Sequence, residues 1–251
     1  MTDWDPLLDD LAVRRAAATA MGGAERLARQ RENGRLDARA RVDYLLDDGS
    51  FREIGAHAGS VGRGMTPIAP ADGLVAGHGT IEGRPVLVGA EDFTVMGGSI
   101  GIATHAKRLR LAELALQERV PLVMLLEGAG ERAQNAFERY PHAPNDLQAL
   151  VRLRGVVPTV AVVMGASAGH GALTAPLMDL TIMVEGAALF TAGPPLVAAA
   201  TGEEVSKEAL GGAAVHTTIS GVAQNAAADD ETALDLVRDR KSTRLNSSHR
   251  L

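Results

Sequence analysis

The sequence contains no cysteine, which excludes disulfides, thiolate zinc sites and cysteine catalysis together. Aromatic residues are scarce at 3%, so the core must be built from small aliphatic side chains that let helices lie close on a sheet. No apolar run reaches membrane-spanning length, and the amino-terminal stretch MTDWDPLLDD is acidic rather than signal-like, which makes the cytoplasm the expected compartment. The body of the chain carries no dense block of Lys and Arg. A formal net charge of −6 argues against nucleic acid as the main partner, though not against an anionic ligand held locally. What remains is a globular composition of 251 residues, 46% hydrophobic and 22% charged, enough for one large or two small domains.

The chain is organised around residues 160–176, VAVVMGASAGHGALTAP. Val160 to Met164 run apolar without alternation, as in a strand buried on both faces. Gly165 to Gly171 then forms a small-residue turn, and Ala172 to Ala175 reads as a short helix with Pro176 near its end. Such a layout leaves backbone N–H groups facing a cleft, and its glycines let a ligand carbonyl approach them. Two chemical readings compete. The amides of Gly169 and His170 can form an oxyanion hole for a thioester enolate or a tetrahedral oxyanion. Alternatively, Gly165 to Gly169 is G-x-S-x-G, a nucleophile elbow with Ser167 attacking. A third reading, that small residues only let a helix cross close to a sheet, stays open on this window.

Elsewhere, Leu7 to Arg31 reads as a helix broken near Met21, Gly22 and Gly23, its arginines forming a solvated or interface face. Arg39 to Leu46 is a second short helix, closed by a turn at Asp47 to Ser50. Gly55 to Pro70 is a Gly/Pro-rich loop. Gly73 to Ile81 and Val86 to Gly89, separated by Glu82 to Pro85, form a β-hairpin signal. Phe93 to Met96 meets Gly97 to Gly101 before a helix over Thr104 to Arg119. Pro121 to Leu126 is a buried strand ending at Glu127 to Gly130, a polar helical segment runs through Asp146 to Arg154, and Asp179 to Val184 is a further strand. After each of three strands the chain makes a Gly-rich turn and enters a helix. This predicts an α/β fold with its turns clustered on one side of a sheet, where ligands bind.

These stretches resemble the carboxyltransferase β subunits of biotin-dependent acyl-CoA carboxylases. Arg39 to Phe51 (RARVDYLLDDGSF) is similar to the family's opening ARERI…LLDPGSF, and Glu91 to Ser99 (EDFTVMGGS) to its DFTV-x-GGS segment. Gly193 to Val197, Thr201 to Ser206 and Leu210 to Gly212, with His216, Ser220 and Gly221, match a GPPLV…TGE.VS…LGG…H…SGV run. The similarity spans Gly34 to Asp235. It implies a crotonase-like fold of stacked ββα units, with an N-terminal helical segment over 1–33 and the acyl-CoA-binding domain over 34–238. It also implies a longer subunit whose second domain, handling carboxybiotin, is absent here, so that this chain holds half a site. Residues 239–251, DRKSTRLNSSHRL, are polar, basic and aperiodic. They resemble translated sequencing-adapter DNA; the alternative is an ordinary basic tail.

The resemblance implies transfer of a carboxyl group from carboxybiotin to the α or vinylogous γ carbon of an acyl-CoA. The enolate would be held by the amides of Gly169 and His170, and the biotin ureido group would take the α-proton, so that no acid–base pair is required. Gly128, Ala129, Gly130 and Arg132 take the place of the family's DSGGAR turn near CoA. Gly97, Gly98 and Ser99 stand at another helix entrance, where they either meet anionic groups or simply pack, and Ala168 precedes the oxyanion amides. The implied partners are acyl-CoA, a biotin carboxylase or biotin carboxyl carrier subunit, and further copies of the chain; no metal is implied.

The sequence also departs from the family. His170 replaces the second glycine of AGG, adding a titratable ring beside the thioester. Glu127 to Glu131 (EGAGE) replaces DSGGA, adding a carboxylate by the anion site, and Ala133 to Ala136 (AQNA) replaces IQEG. These departures motivate an alternative, a non-catalytic paralogue that binds acyl-CoA or assembles the complex. A more distant alternative is a serine hydrolase using Ser167 with Asp179 and His216. A crotonase-type hydratase would need paired carboxylates that residues 173–178 lack, Glu113 and Glu118 reading as a solvated helix face. No H-x-x-x-H or Cys/His cluster is visible, and His57, His78 and His105 read as lone residues.

Overall fold

A computed structural model describes residues 4–59, 70–133, 135 and 145–243. Most of the Gly/Pro-rich loop, together with Gln134, Ala136 and residues 244–251, lies outside the described residues. The amino-terminal helices are α1 (Asp5–Ala20) and α2 (Ala24–Glu32), separated at the predicted break. There Met21 and Gly23 both take positive φ, and a Cβ on Gly22 would overlap the backbone of Thr94. Arg14 pairs with Asp10 and Arg29 with Glu25 on the exposed side, as expected of a solvated face. α3 (Ala38–Leu45) starts at Asp37, whose carboxylate accepts from Ala40 N at 3.0 Å, an ordinary N-cap.

The sheet begins with β1 (Arg52–Glu53), β2 (Leu74–Ile81) and β3 (Arg84–Glu91), all antiparallel. The β2–β3 turn is tighter than expected: Glu82 and Gly83 alone make it, both at positive φ as a type I′ turn requires, and Arg84 and Pro85 already belong to β3. Phe93 to Met96 is not a strand. Backbone bonds from Val95 N to Asp92 O and from Gly98 N to Val95 O fold it into successive turns leading to α4 (Ile102–Glu118).

From β3 onward the pairing is parallel, through β4 (Leu122–Gly128), β5 (Thr159–Ala168) and β6 (Leu180–Val184). α5 (Asp146–Val151) lies between β4 and β5, and α6 (Gly169–Ala172) follows β5 directly. β7 (Ala188–Phe190) pairs with the carboxyl end of β5. Three helices, α7 (Pro194–Thr201), α8 (Lys207–Gly211) and α9 (Ala213–Thr218), lead to β8 (Asn225–Ala227) beside β6 and to α10 (Asp230–Thr243). α10 continues past Asp239, so the segment expected to be aperiodic begins as helix. The order β1-β2-β3-β4-β5-β6-β8 makes β5 the hub, flanked by β4 and β6 along its first half and by β7 at its end.

β5 is longer than the sequence indicates. It runs through Gly165 to Ala168, read beforehand as turn, because the glycine there is a packing device rather than a turn residue. A Cβ on Gly165 would overlap the Glu127 carboxylate, which crosses the strand at that point. The helix therefore starts only at Gly169, where φ becomes +55°. Val42, Leu45, Val88, Leu111, Leu125, Val162, Val163, Ile182 and Leu234 are among the fully buried side chains packed on the two faces of the sheet.

Candidate active site

Three small-residue segments meet at the carboxyl ends of the parallel strands. Ala129 N donates to Gly97 O at 2.9 Å and Ile100 N to Gly130 O at 2.8 Å, zipping residues 97–100 onto the end of β4. Gly130, at φ +84°, lets the next segment approach: a Cβ there would stand 2.8 Å from Ala168 O. Gly97, Ala129 and Ala168 to His170 reach the surface, whereas Gly98, Ser99, Gly128 and Gly130 are buried and serve the crossing. The amides of Gly169, His170 and Gly171 begin α6 and have no acceptor within their own helix.

Arg132 is engaged inside the chain. It is buried, with Nη1 2.6 Å from Asp72 Oδ1, Nε donating to Ser99 Oγ at 3.2 Å and Nη2 to Ser99 O at 2.9 Å. The same Asp72 accepts from Thr104 N at 2.8 Å, so Arg132 and Ser99 tie the 97–100 turn to α4 rather than standing free for a ligand. Glu127 likewise points away from the turn. Its carboxylate is buried against Arg35, Arg41 and Gln30 at 2.9, 2.6 and 2.9 Å. The carboxylate that does border the turn is Glu131, half exposed and 2.8 Å from His105 Nε2.

His105 is not a lone residue. It comes from α4, Asp146 from the start of α5 and His170 from α6, and their ligand-type atoms lie within 4.8 Å of one another. His170 Nε2 is 2.8 Å from Asp146 Oδ1, and His105 Nδ1 is 3.4 Å from the same oxygen. The two rings meet edge to face with centroids 4.7 Å apart. Arg108 closes the inner side, its Nε 2.6 Å from Asp146 Oδ2, its Nη1 3.0 Å from Glu91 Oε1 and its Nη2 on Thr174 Oγ1. Burial alone would raise the Asp146 carboxyl, but bonds to His105, His170 and Arg108 outweigh it and hold the group well below the usual carboxylate range. Burial of His105 likewise opposes its charge, and the bonds to Asp146 and Glu131 overcome this to raise its pKa. Burial pushes the Glu91 carboxyl up despite Arg108. Sequence spacing could not reveal this cluster, because each member belongs to a different element.

The nucleophile-elbow geometry is not met. Ser167 is fully buried within β5, and its Oγ has no hydrogen-bond partner among the described residues. Asp179 is bound to Thr159 N and Oγ1 at 2.9 and 3.0 Å, at the opposite end of β5. His216 lies on α9, with Nδ1 2.8 Å from Ser220 Oγ and Nε2 2.8 Å from Leu189 O. No triad forms around Ser167. Glu113 and Glu118 are exposed on α4, as read from the sequence.

A cleft of about 440 Å³ opens beside Gly97, between α2 and the loop after β3. Arg26 and Arg29 line one side and Phe93 and Met96 the other. Arg26 Nη1 is anchored on Thr94 O at 3.0 Å, which holds that arginine at the rim. Its helix was legible in the sequence, but the wall opposite was not. No helix among the described residues is long and apolar enough to cross a membrane.

Known proteins are similar to this chain in sequence and fold. The carboxyltransferase subunit of propionyl-CoA carboxylase from Haloferax mediterranei is 38% identical over 236 residues, covering 92% of this chain and 46% of that protein. The 12S subunit of methylmalonyl-CoA carboxyltransferase from Propionibacterium freudenreichii is 38% identical over 229 residues, with 90% and 44% covered. The crystal structure of transcarboxylase 12S with methylmalonyl-coenzyme A and methylmalonic acid bound superposes with a TM-score of 0.89 at 35% identity, covering 96% of this chain and 48% of that one. The chain thus spans about half the length of the curated relatives it matches, and its α/β architecture is the crotonase-like one of those carboxylase subunits. With residues 29–247 matching the carboxyl transferase domain, the chain belongs to that family.

Proposed function

We propose that this chain is the acyl-CoA half of a carboxyltransferase, stabilising the thioester enolate on the amides of Gly169 and His170 while a carboxyl group is transferred to it. The observation that carries the reading is the turn at Ala168 to His170: half-exposed backbone at the end of the central strand, with the adjacent Ser167 hydroxyl sealed in the core. An amide can meet a developing oxyanion without a side chain, and fixed donors in a partly dry site need little reorganisation when the charge appears. Carboxybiotin, when bound, supplies the carboxyl group; the residues described here fit the thioester side of that reaction, and none is assigned to biotin.

The cleft beside Gly97 suits CoA. Arg26 and Arg29 offer charge to its phosphates, Phe93 and Met96 offer apolar surface, and Gly97 and Ala129 continue the surface to the oxyanion turn. The domain boundaries at 34 and 238, a second domain for carboxybiotin, the biotin carrier partner and a homo-oligomeric core belong to the same reading.

The test is carboxyl transfer by the full-length gene product with its biotin carrier, using acetyl-, propionyl- and methylcrotonyl-CoA in parallel. Transfer to at least one, undiminished in Ser167→Ala, is the expected result. Labelling of Ser167 by a fluorophosphonate, with loss of turnover in Ser167→Ala, would replace the reading with a hydrolase. CoA binding without transfer to any acceptor would support the non-catalytic paralogue, for which His170 and Glu131 beside the turn are the motive.

A further inference from the structure

The His105, Asp146 and His170 cluster has the form of an empty socket for a cation. His105 Nδ1 is buried and has no hydrogen-bond partner among the described residues. Its other nitrogen, Nε2, is 2.8 Å from Glu131, and in the neutral tautomer with the N–H there Nδ1 presents a lone pair inward. That lone pair looks across 3.4 Å at Asp146 Oδ1, a second acceptor. Between the two sits either a proton on His105, which the neighbouring carboxylates favour, or a metal ion that takes its place. Arg108 does not fill this place, because it holds Asp146 through the opposite oxygen. His170 Nε2 completes the ring of donors, 2.8 Å from Asp146 Oδ1.

We infer that His105 Nδ1, Asp146 Oδ1 and His170 Nε2 bind a divalent transition-metal ion of the zinc or cobalt class. Two imidazoles and a carboxylate are a donor set such ions favour over magnesium or calcium, which prefer all-oxygen shells. Ligands about 2.1 Å from a tetrahedral ion stand about 3.4 Å apart. The His105 to Asp146 separation already has this spacing, the His170 to Asp146 contact has to open, and all three donor atoms lie within 4.8 Å of one another. The surrounding groups have the roles expected of a metal's outer shell: Glu131 fixes the tautomer of His105, and Arg108 fixes the carboxylate of Asp146. His170 is partly exposed, giving the ion a way in, and a fourth position stays free for water or a ligand oxygen beside the Ala168 to His170 turn.

The test needs no acyl-CoA, so its failure is distinct from failure of the carboxyltransferase reading. The metal-free full-length protein is titrated with CoCl2, following the visible d–d band of four-coordinate Co2+, and then with ZnCl2 to displace it. The expected result is one ion per chain, with the band lost in His105→Ala and the dissociation constant raised about tenfold or more in Glu131→Gln. Asp146→Asn also strips Arg108 of a partner, so the deciding variants are these two, with folding checked by circular dichroism. A double His57→Ala, His78→Ala variant, which changes only exposed histidines, keeps the band. Absence of the band in the wild type overturns the inference, as does a band that survives in folded His105→Ala.

Discussion

Two buried ion clusters lie near the ends of the parallel strands, and they are finished differently. Around Glu127, Arg35 and Arg41 each take a carboxylate oxygen at 2.9 and 2.6 Å, Gln30 adds a bond at 2.9 Å, and Arg41 continues to Asp230 at 2.9 Å. The atom left over there is Arg41 Nη2, a donor on a group that is already a cation. Around Asp146 the atom left over is His105 Nδ1, a titratable nitrogen facing a carboxylate. The first cluster is closed and its work is structural, fixing α2, α3 and α10 against β4. The second is held by Arg108 on one side and by titratable imidazoles on the other, and it is the one that opens at the Ala168 to His170 turn. Buried charge alone therefore does not mark a site; a titratable atom left at its centre does.

The comparison breaks first at Glu127. Glu127→Ala leaves Arg41, at 1% exposure, with Asp230 as its remaining carboxylate partner, and removing one partner of such a buried pair costs about 3–5 kcal/mol. Urea denaturation measures it; a loss below about 1 kcal/mol would mean that water reaches the cluster and that it is not closed. A smaller effect follows from Gly165→Ala, whose new methyl meets the Glu127 carboxylate. Overpacking of this kind costs about 1–3 kcal/mol. The cost should shrink in the background of Glu127→Ala, which removes the atoms the new methyl meets. Glu131→Gln sharpens the contrast from the open side. With 47% of its side chain exposed, Glu131 should change stability by no more than about 0.5 kcal/mol, even as Co2+ affinity falls. A large loss of stability there would make the second cluster structural like the first.

Much of the frame was legible because it obeys local rules. The apolar run at Val160 to Met164 and the Glu82-Gly83 turn each announce their element through periodicity or turn chemistry. The extent of β5 was not legible. Gly165 to Ala168 reads as turn until one knows that Glu127, from the neighbouring strand, lies over it. Arg132 shows the same limit: an arginine after a Gly-rich turn looks like a phosphate ligand, and only the fold reveals Asp72 and Ser99 consuming its nitrogens. The site's backbone was legible as a motif, because amides at a small-residue turn need no partner from elsewhere. Its charged border was not, because His105, Asp146 and His170 converge from three elements, and nothing in their spacing states that α4, α5 and α6 share a corner.

The smallest effect tests the opposite extreme, a carboxylate that is ionised without burial. Asp47 sits outside the β2–β3 turn and accepts from Thr80 Oγ1 at 2.6 Å and from Glu82 N and Gly83 N at 2.8 Å each. These bonds, led by Thr80, lower its pKa from 3.8 to about 2. Because the folded pKa lies below the unfolded one, the unfolded chain takes up its proton first as pH falls. The stability Asp47 contributes is therefore fully present above pH 3.8 and lost as pH drops through about 2. Asp47→Asn has no such proton to take up. The urea midpoint of the wild type should exceed that of Asp47→Asn at neutral pH, with the gap narrowing across this window. A gap that stays constant down to about pH 2 would mean that the turn is held by the geometry of the three hydrogen bonds and not by the charge that accepts them.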